Sequence, residues 1–327
     1  MNKLRLSVAM CTYNGARFLA QQLESIAAQT RLPDELVVCD DGSADESTEI
    51  IRKFAKNAPF PVRLELNEKN LGPTKNFEKA IGLCRDEFIS LADQDDVWKP
   101  QKLSKLWQVL QENPRAGYAF SNADLIDERG SRLGRELWDS VKFHGSLYNG
   151  FFAAGQVASL LKRSAATGAT MAFRAGLKNI LLPISPYFVH DYWVSLLGSC
   201  MGWYGVPIPD SLIEYRQHEG QQIGALRSSV LEKIRWARQV GPAEYSNRTQ
   251  GYLDLRERLL FAAANGWTCP PNHMDLVQEK IEHLSHRAVA HSKRGTAKLG
   301  SVFSEVVSGR YARFSNSWVS VVEDLCF

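Results

Sequence analysis

The stretch LRLSVAMCTYNGARFLAQQLESIAAQTRLPDELVVCDD, residues 4–41, contains one complete strand–helix–strand unit. LRLSVAM is a short apolar run that gives way at once to Thr12, Tyr13 and Asn14. It reads as a first strand and is too short for the apolar part of a secretion signal. The middle segment places Phe18, Leu19, Leu23, Ile26 and Ala27 on one helical face. ELVVCD, residues 35–40, is apolar through most of its length, as a strand buried on both faces should be.

Working outward, the alternation continues. Residues 44–57 read as a helix with Ser43 or Asp45 as its cap, 62–67 as a strand and 74–84 as a helix. EFISLAD, 87–93, is a fourth strand, followed by a helix from about Lys99 to Glu112; GYAFSNADLID, 117–127, is a fifth strand. Such alternation with short loops predicts an α/β fold, a mostly parallel sheet flanked by helices. Regularity then weakens. TGATMAF, 167–173, reads as a short strand, PYFVHDYWVSLLGSC, 186–200, as a loop entering a helix, and WYGVPIPDSLIEYRQH, 203–218, as a strand pair. From about residue 225 the pattern is helical: SVLEKIRWARQV, QGYLDLRERLLFAAA and MDLVQEKIEHLSHRAVAHS. The expected division is a catalytic domain over 1–225 and a helical subdomain over 226–327.

The 327 residues are 44% hydrophobic and 23% charged, with a net charge of +3, which is too slight to argue for a nucleic-acid partner. No apolar run is long enough to span a bilayer. Six cysteines without CxxC spacing read as reduced thiols of a cytoplasmic protein and argue against a zinc site.

Three polar clusters follow strand ends: CTYNG (11–15), DDGSADES (40–47) and DQDD (93–96). Ligands of open α/β sheets bind beyond the carboxyl ends of the strands, so the three converge on one crevice. Neither G-x-G-x-x-G nor G-x-x-x-x-G-K-[ST] is present, which argues against dinucleotide and P-loop chemistry. Asp93 and Asp95, two apart in an extended segment, share a side and suit Mg²⁺ or Mn²⁺. Asp96 reads as a cap for the following helix. Asp40 and Asp41 are adjacent and do not face the same way: either the pair forms a plain turn and cap, or one meets a ligand while the other caps or braces the loop. Asp191 is either a helix cap or a general base. Arg216 and His218 share a side of an extended segment, with guanidinium suited to phosphate and imidazole to metal. His283, His286 and His291 read as solvated.

VAMCTYNGARFLAQQLESIAAQT, VVCDDGSADEST, NLGPTKNFEKAI, ISLADQDDVWKPQKL, TGATMAF, HDYW and YRQH together resemble the family 2 glycosyltransferases of the GT-A fold, over roughly residues 4–225. DQDDVWKPQKL and the ending GRYARFSNSWVSVVEDL are similar to the bacterial rhamnosyltransferase-like branch that builds surface polysaccharides. The resemblance implies that Thr12, Tyr13 and Asn14 line a nucleotide pocket and that Asp40 meets the base. Asp41, Lys75, Gln94 and Arg216 join the nucleotide-sugar set. Asp93 lies near ribose and metal, Asp95 binds the divalent cation, Mg²⁺ or Mn²⁺, and His218 completes the metal site. Asp191 is the implied base of an inverting displacement, with Thr167, Gly168, His190 and Trp193 in the acceptor and sugar pocket. Two positions depart from the family pattern: Gln221, where Asn is frequent, and LLKRSAA before TGATMAF, where a more polar segment is usual.

The implied donor is a nucleotide-diphospho-sugar, dTDP-rhamnose first and UDP-linked hexoses or N-acetylhexosamines next. The implied acceptor is a glycan or an undecaprenyl-diphosphate-linked glycan. A nucleotidylyltransferase would need a Gly-rich, basic loop after strand one, which CTYNGARF does not supply. A non-catalytic binding subunit would be expected to lose Asp93, Asp95 or Asp191, all of which are present. The helical tail, with 14 Lys and Arg against 10 Asp and Glu over 225–327, is expected to pack on the catalytic domain. A peripheral contact with the inner leaflet and a homodimer stay open beside that reading.

Overall fold

The computed structural model describes residues 4–152, 155–218 and 241–326. The expected helix at 229–240 and the departure at Gln221 lie outside the described residues.

Among the described residues nine strands form one sheet: β1 (Leu6–Thr12), β2 (Glu35–Asp40), β3 (Val62–Leu66), β4 (Phe88–Ala92), β5 (Val97–Trp98), β6 (Ala116–Ile126), β7 (Arg132–Glu136), β8 (Met171–Arg174) and β9 (Tyr204–Arg216). Their order is β3-β2-β1-β4-β8-β6-β9-β5, with β7 beside β6. β1 to β4 are mutually parallel, and β6 and β9 run the same way; β8, β5 and β7 are reversed. The sheet is therefore mostly parallel, as the alternation predicts.

Helices on both faces follow from the two-residue period of the strands. Val8 and Met10 of β1 and Leu36 and Val38 of β2 pack on Leu19, Leu23 and Ile26 of α1 (Ala16–Ala27) and Leu103, Leu106 and Leu110 of α4 (Lys102–Glu112). Ile51 of α2 (Ser47–Ala55) joins this core. The intervening residues, Ala9, Cys11, Val37 and Cys39, face Phe77, Ala80 and Ile81 of α3 (Pro73–Leu83) and a larger second core.

Between β7 and β9 lie α5 (Leu137–Ser140), α6 (Gly145–Phe152), α7 (Gln156–Lys162), α8 (Lys178–Leu181) and α9 (His190–Cys200). Leu160 and Leu161 of the departing segment LLKRSAA are fully buried in α7. The tail forms α10 (Pro242–Ala264), α11 (Pro271–Ser292), α12 (Gly295–Val307), α13 (Arg310–Phe314) and α14 (Trp318–Cys326). Leu255 and Leu259 of α10 and Val277, Ile281 and Leu284 of α11 share one core with Tyr118, Phe120 and Met171 of the sheet.

Two expectations are corrected. Within residues 203–218 there is one long strand, β9 (Tyr204–Arg216), not a pair. Pro207 and Pro209 suggest a break, but the register of β9 against β6 shifts between Ser121 and Asn122, leaving Pro209 and Asp210 unpaired on the β6 ladder. The helix expected from Lys99 starts at Lys102, because Val97 and Trp98 first pair with β9 as β5. All six cysteines are free; Cys11, Cys39, Cys84 and Cys200 are buried, whereas Cys326 is exposed.

Candidate active site

The three loops beyond β1, β2 and β4 are stitched together by short polar side chains. Thr12 Oγ1 donates to Asp40 Oδ2 at 2.8 Å, and Ser43 donates to Asp40 through its N–H at 2.9 Å and its hydroxyl at 2.6 Å. Asp40 is thus turned into the loop, 1% exposed, and braces it. Asn14 holds a left-handed backbone, φ 48°. Its N–H donates to Ser43 Oγ and its Oδ1 accepts from the Ala44 N–H, both at 2.8 Å. Tyr13 stands half-exposed at the rim.

Asp41 is the member of the pair that lines the cleft. Its carboxylate accepts from the Leu71 N–H at 2.8 Å, the Gly72 N–H at 2.9 Å and Asn67 Nδ2 at 2.7 Å. These bonds draw the entry of α3 over the cleft, so Gly72, Asn76 and Phe77 line it together with Asn70. None of those four is in the expected set, although NLGPTKNF is among the family-like stretches. A run of Asn and Gly before a helix reads equally well as a plain turn, so the sequence carries little signal for them.

Asp93, Gln94 and Asp95 form another wall. Gln94 pairs with both backbone polar groups of Tyr13, accepting its N–H at 2.8 Å and donating to its C=O at 3.1 Å. Gly15 is needed beneath it, since a Cβ there would lie 2.2 Å from Gln94 Oε1. Burial, then the charges of Asp95 and Asp191, push the Asp93 carboxyl up to about 7. Two carboxylates from the loop after β4 and one from the start of α9 therefore feel one another across the same cleft. His218 Nε2 lies 2.8 Å from Asp95 Oδ2, and its ring is 4.9 Å from that of Phe18.

Asp96 is corrected. It caps no helix: it is fully buried, Oδ1 accepts the Arg216 N–H at 3.0 Å, and α4 begins behind Gln101. Among the described residues Asp96 Oδ2 has no hydrogen-bond partner, and burial pushes this carboxyl well up. Beneath it the ammonium of Lys102 is buried too, 2.7 Å from the Ala169 carbonyl and 3.2 Å above the Trp98 ring. Burial pulls Lys102 well below the usual range. Sequence reading missed Lys102, because a lysine in the first turn of a helix ordinarily reads as exposed.

The opposite wall comes from the start of α9 and the turn before β8. Asp191 Oδ2 accepts the Gly168 N–H at 2.8 Å and Oδ1 the Tyr192 N–H at 2.6 Å. His190 stacks on Phe77 with ring centroids 3.9 Å apart. Among the described residues neither ring nitrogen has a hydrogen-bond partner, and burial lowers the pKa, holding the imidazole neutral. A Cβ on Gly168 would sit 2.9 Å from His190 Nε2. Thr167, Val189 and Tyr215 complete this side of a cleft of about 230 Å³.

Three expected ligand contacts lie elsewhere. The Arg216 guanidinium is turned away from the cleft: Nε donates to the Asp95 carbonyl at 2.7 Å and an η-nitrogen to Gln21 Oε1 at 2.7 Å. It anchors the acidic loop from behind. Lys75 pairs with Glu78 at 2.7 Å and faces a neighbouring pocket with Ser185, Asp254 and Arg258. Trp193 is 1% exposed and donates to the Leu181 carbonyl, packed in the core beside that pocket. Of the tail histidines only His286 is exposed as expected; His283 pairs with Glu305 at 2.7 Å and His291 with Asp324 at 2.9 Å, both inside the helical layer.

Among the described residues no three His, Cys, Asp or Glu side chains form a preformed metal cage. Asp93 and Asp95 nevertheless offer hard oxygens in a strongly negative cleft. Mg²⁺ and Mn²⁺ are commonly held by one or two carboxylates, with waters and substrate phosphates filling the remaining positions. The residues present fit such an ion.

Comparison with known proteins gives a consistent pattern. A family model described as Glycosyl transferase family 2 matches residues 7–179, just over half of the chain. The chain is 26% identical over 232 residues to an uncharacterized glycosyltransferase, alr2836, of Nostoc sp., covering 70% of each. To an uncharacterized protein of Mycobacterium tuberculosis it is 32% identical over 129 residues, 39% of this chain and 37% of the relative. Staphylococcus aureus TarS residues 1–349, solved with UDP-GlcNAc, superposes with a TM-score of 0.57 at 18% identity, covering 95% of this chain and 82% of that one. The mannosyltransferase PcManGT of Pyrobaculum calidifontis, solved with GDP-Man and Mn²⁺, gives 0.54 at 17% identity, covering 99% and 86%. At these identities the two structures speak for the fold.

Proposed function

Because the chain belongs to glycosyl transferase family 2, we propose that its cleft moves a sugar from a nucleotide-diphospho-sugar to an acceptor hydroxyl, with inversion at the anomeric carbon. The observation that carries this reading is the meeting of Asp93, Asp95 and Asp191 in one cleft, close enough that the charges of Asp95 and Asp191 add to burial in raising the pKa of Asp93. Such a concentration of negative charge suits a divalent cation and a diphosphate between the first two. The third is left free for acid–base work.

Asp93 and Asp95 would hold the cation, with His218 supporting Asp95 from behind. When bound, the ion neutralises charge on the diphosphate leaving group. Asp41, Thr12 and the loop at Asn70–Gly72 would receive the nucleoside, while Asp40 and Asn14 keep those loops in register. Asp191 uses one lone pair on each oxygen for a backbone N–H and keeps the others for the acceptor. It takes the hydroxyl proton as the acceptor oxygen bonds to the anomeric carbon and the carbon–oxygen bond to the diphosphate breaks. Neutral His190 offers one donor and one acceptor to a sugar hydroxyl. Residues 1–225 would carry this chemistry and 226–327 the acceptor-facing or membrane-facing side.

The printed ligands of the structural neighbours, UDP-GlcNAc and GDP-Man with Mn²⁺, support a nucleotide-sugar donor and a cation. L-Rhamnose from dTDP-rhamnose is the first donor to try, from the sequence resemblance. UDP-hexoses and UDP-N-acetylhexosamines are the alternatives, and a surface glycan or its lipid-linked precursor is the acceptor class. The test is a panel of nucleotide-sugars assayed for hydrolysis and transfer with Mg²⁺ or Mn²⁺. One donor should turn over, and Asp191→Asn should lower its transfer about 10²–10⁴-fold with nucleotide binding kept. Absence of turnover with every donor, in wild type and variant alike, would favour a binding subunit instead.

A further inference from the structure

The last helices of the tail are built inside out. α12 buries Val302 and Glu305 but exposes Leu299, Phe303, Val306 and Val307, a helical stripe at i, i+4, i+7 and i+8. α14 buries Ser320 and Asp324 but exposes Trp318, Val319, Val322 and Leu325. Phe303 is 69% exposed, Val307 70% and Trp318 71%. The two helices pack on each other around a small core of Ala290, Val302 and Tyr311. Their polar groups face inward, where Asp324 meets Arg287 and His291, and Glu305 meets His283 and Arg310. A helix in a globular protein ordinarily turns its apolar stripe to the core. Contiguous apolar surface of this kind marks an interaction site.

We propose that this face seats on an anionic lipid bilayer, lying in the interface without crossing it. Charge selects the occupant. Lys293, Arg294 and Lys298 stand at the head of α12, while the acidic Glu305 and Asp324 are buried and neutralised within the layer. Two copies joined through the same face would bring like basic rims together. An anionic bilayer meets the apolar stripe and the basic rim at once. Beside the stripe a groove of about 540 Å³ between α11 and α12, lined by His286, Val289, Lys293, Ala297, Ser301 and Ser304, offers room at headgroup depth. Among the described residues no helix is long and apolar enough to cross a membrane, so the contact is interfacial.

The test is co-sedimentation of the intact chain with vesicles of phosphatidylcholine alone or mixed with phosphatidylglycerol. At low salt the mixed vesicles should retain at least tenfold more protein, and high salt should reverse much of this. Phe303→Glu with Trp318→Glu should remove at least nine-tenths of the binding, and Lys293→Glu with Lys298→Glu should remove the salt-sensitive part. All four side chains lie outside the active-site cleft, so donor hydrolysis and circular dichroism check that each variant is folded. Three outcomes would each overturn the proposal: wild type staying in the supernatant, undiminished binding by the Phe303 and Trp318 variant, or that variant merely turning a dimer into a monomer in sedimentation velocity. Vesicle binding does not depend on turnover, so it stands or falls separately from the enzymatic reading.

Discussion

At the residue scale the neighbouring positions Asp95 and Asp96 have different duties. Asp95→Ala should abolish cation-dependent nucleotide binding, measured by calorimetry with and without Mn²⁺, and leave the fold intact. Asp96→Ala should do the reverse, leaving the buried Arg216 N–H unsatisfied at about 1–3 kcal/mol, measured by denaturant unfolding. Gly168→Ala should lower kcat at least tenfold, because the new Cβ meets His190 Nε2 at 2.9 Å while His190 is held against Phe77. An unchanged kcat would show that this close approach does not matter. The grouping of Asp93 with Asp95 was legible because extended residues two apart share a side. The inward duty of Asp96 was not, because it depends on β5 re-entering the sheet beside β9, a contact between segments far apart in the chain. Arg216 and Trp193 misled for a related reason. Residue type and neighbouring motif say that a side chain is near a site, but not which way it turns.

At the element scale α14 depends on one buried carboxylate. Asp324 accepts two hydrogen bonds from Arg287, both at 2.6 Å, one from Tyr311 at 2.6 Å and one from His291 at 2.9 Å. Burial alone would raise its pKa, but the bonds from His291 and Arg287 overcome this and hold it at about 2. Removing one partner of such a buried pair costs about 3–5 kcal/mol, so Asp324→Ala should loosen the tail helices, seen as faster amide exchange in α11 and α14. The pH dependence follows the sign of the shift. The contribution is complete above the unfolded carboxyl value of 3.8 and is lost as pH falls through about 2. Acid unfolding of the tail should therefore shift to higher pH in Asp324→Asn. The helices were legible from periodicity, but the inward placement of His283 and His291 was not. Reading a helix by its apolar stripe assumes that the stripe faces the core, and here the outer helices present it to the outside.

At the scale of the whole molecule, donor and cation should stabilise the fold together. At a hundredfold excess over Kd a nucleoside diphosphate should add about 2.7 kcal/mol, raising Tm in scanning calorimetry only when Mg²⁺ or Mn²⁺ is present. EDTA should cancel both the shift and the turnover. The parallel half of the sheet, β1 to β4, was legible because each strand and its helix are adjacent in sequence. β9 was not, since its partners β5 and β6 were laid down long before it and its prolines sit where the ladder shifts. That lateness bears on how the protein is made. Asp95 and the Arg216 guanidinium that anchors its loop are 121 residues apart. At ribosomal rates on the order of 5–20 residues per second, the acidic loop waits about 6–24 s for its brace. A nascent chain arrested before β9 would carry Asp93, Asp95 and Asp191 yet lack the strand whose Arg216 holds the backbone of Asp95, so competence for chemistry arrives late in synthesis and all at once.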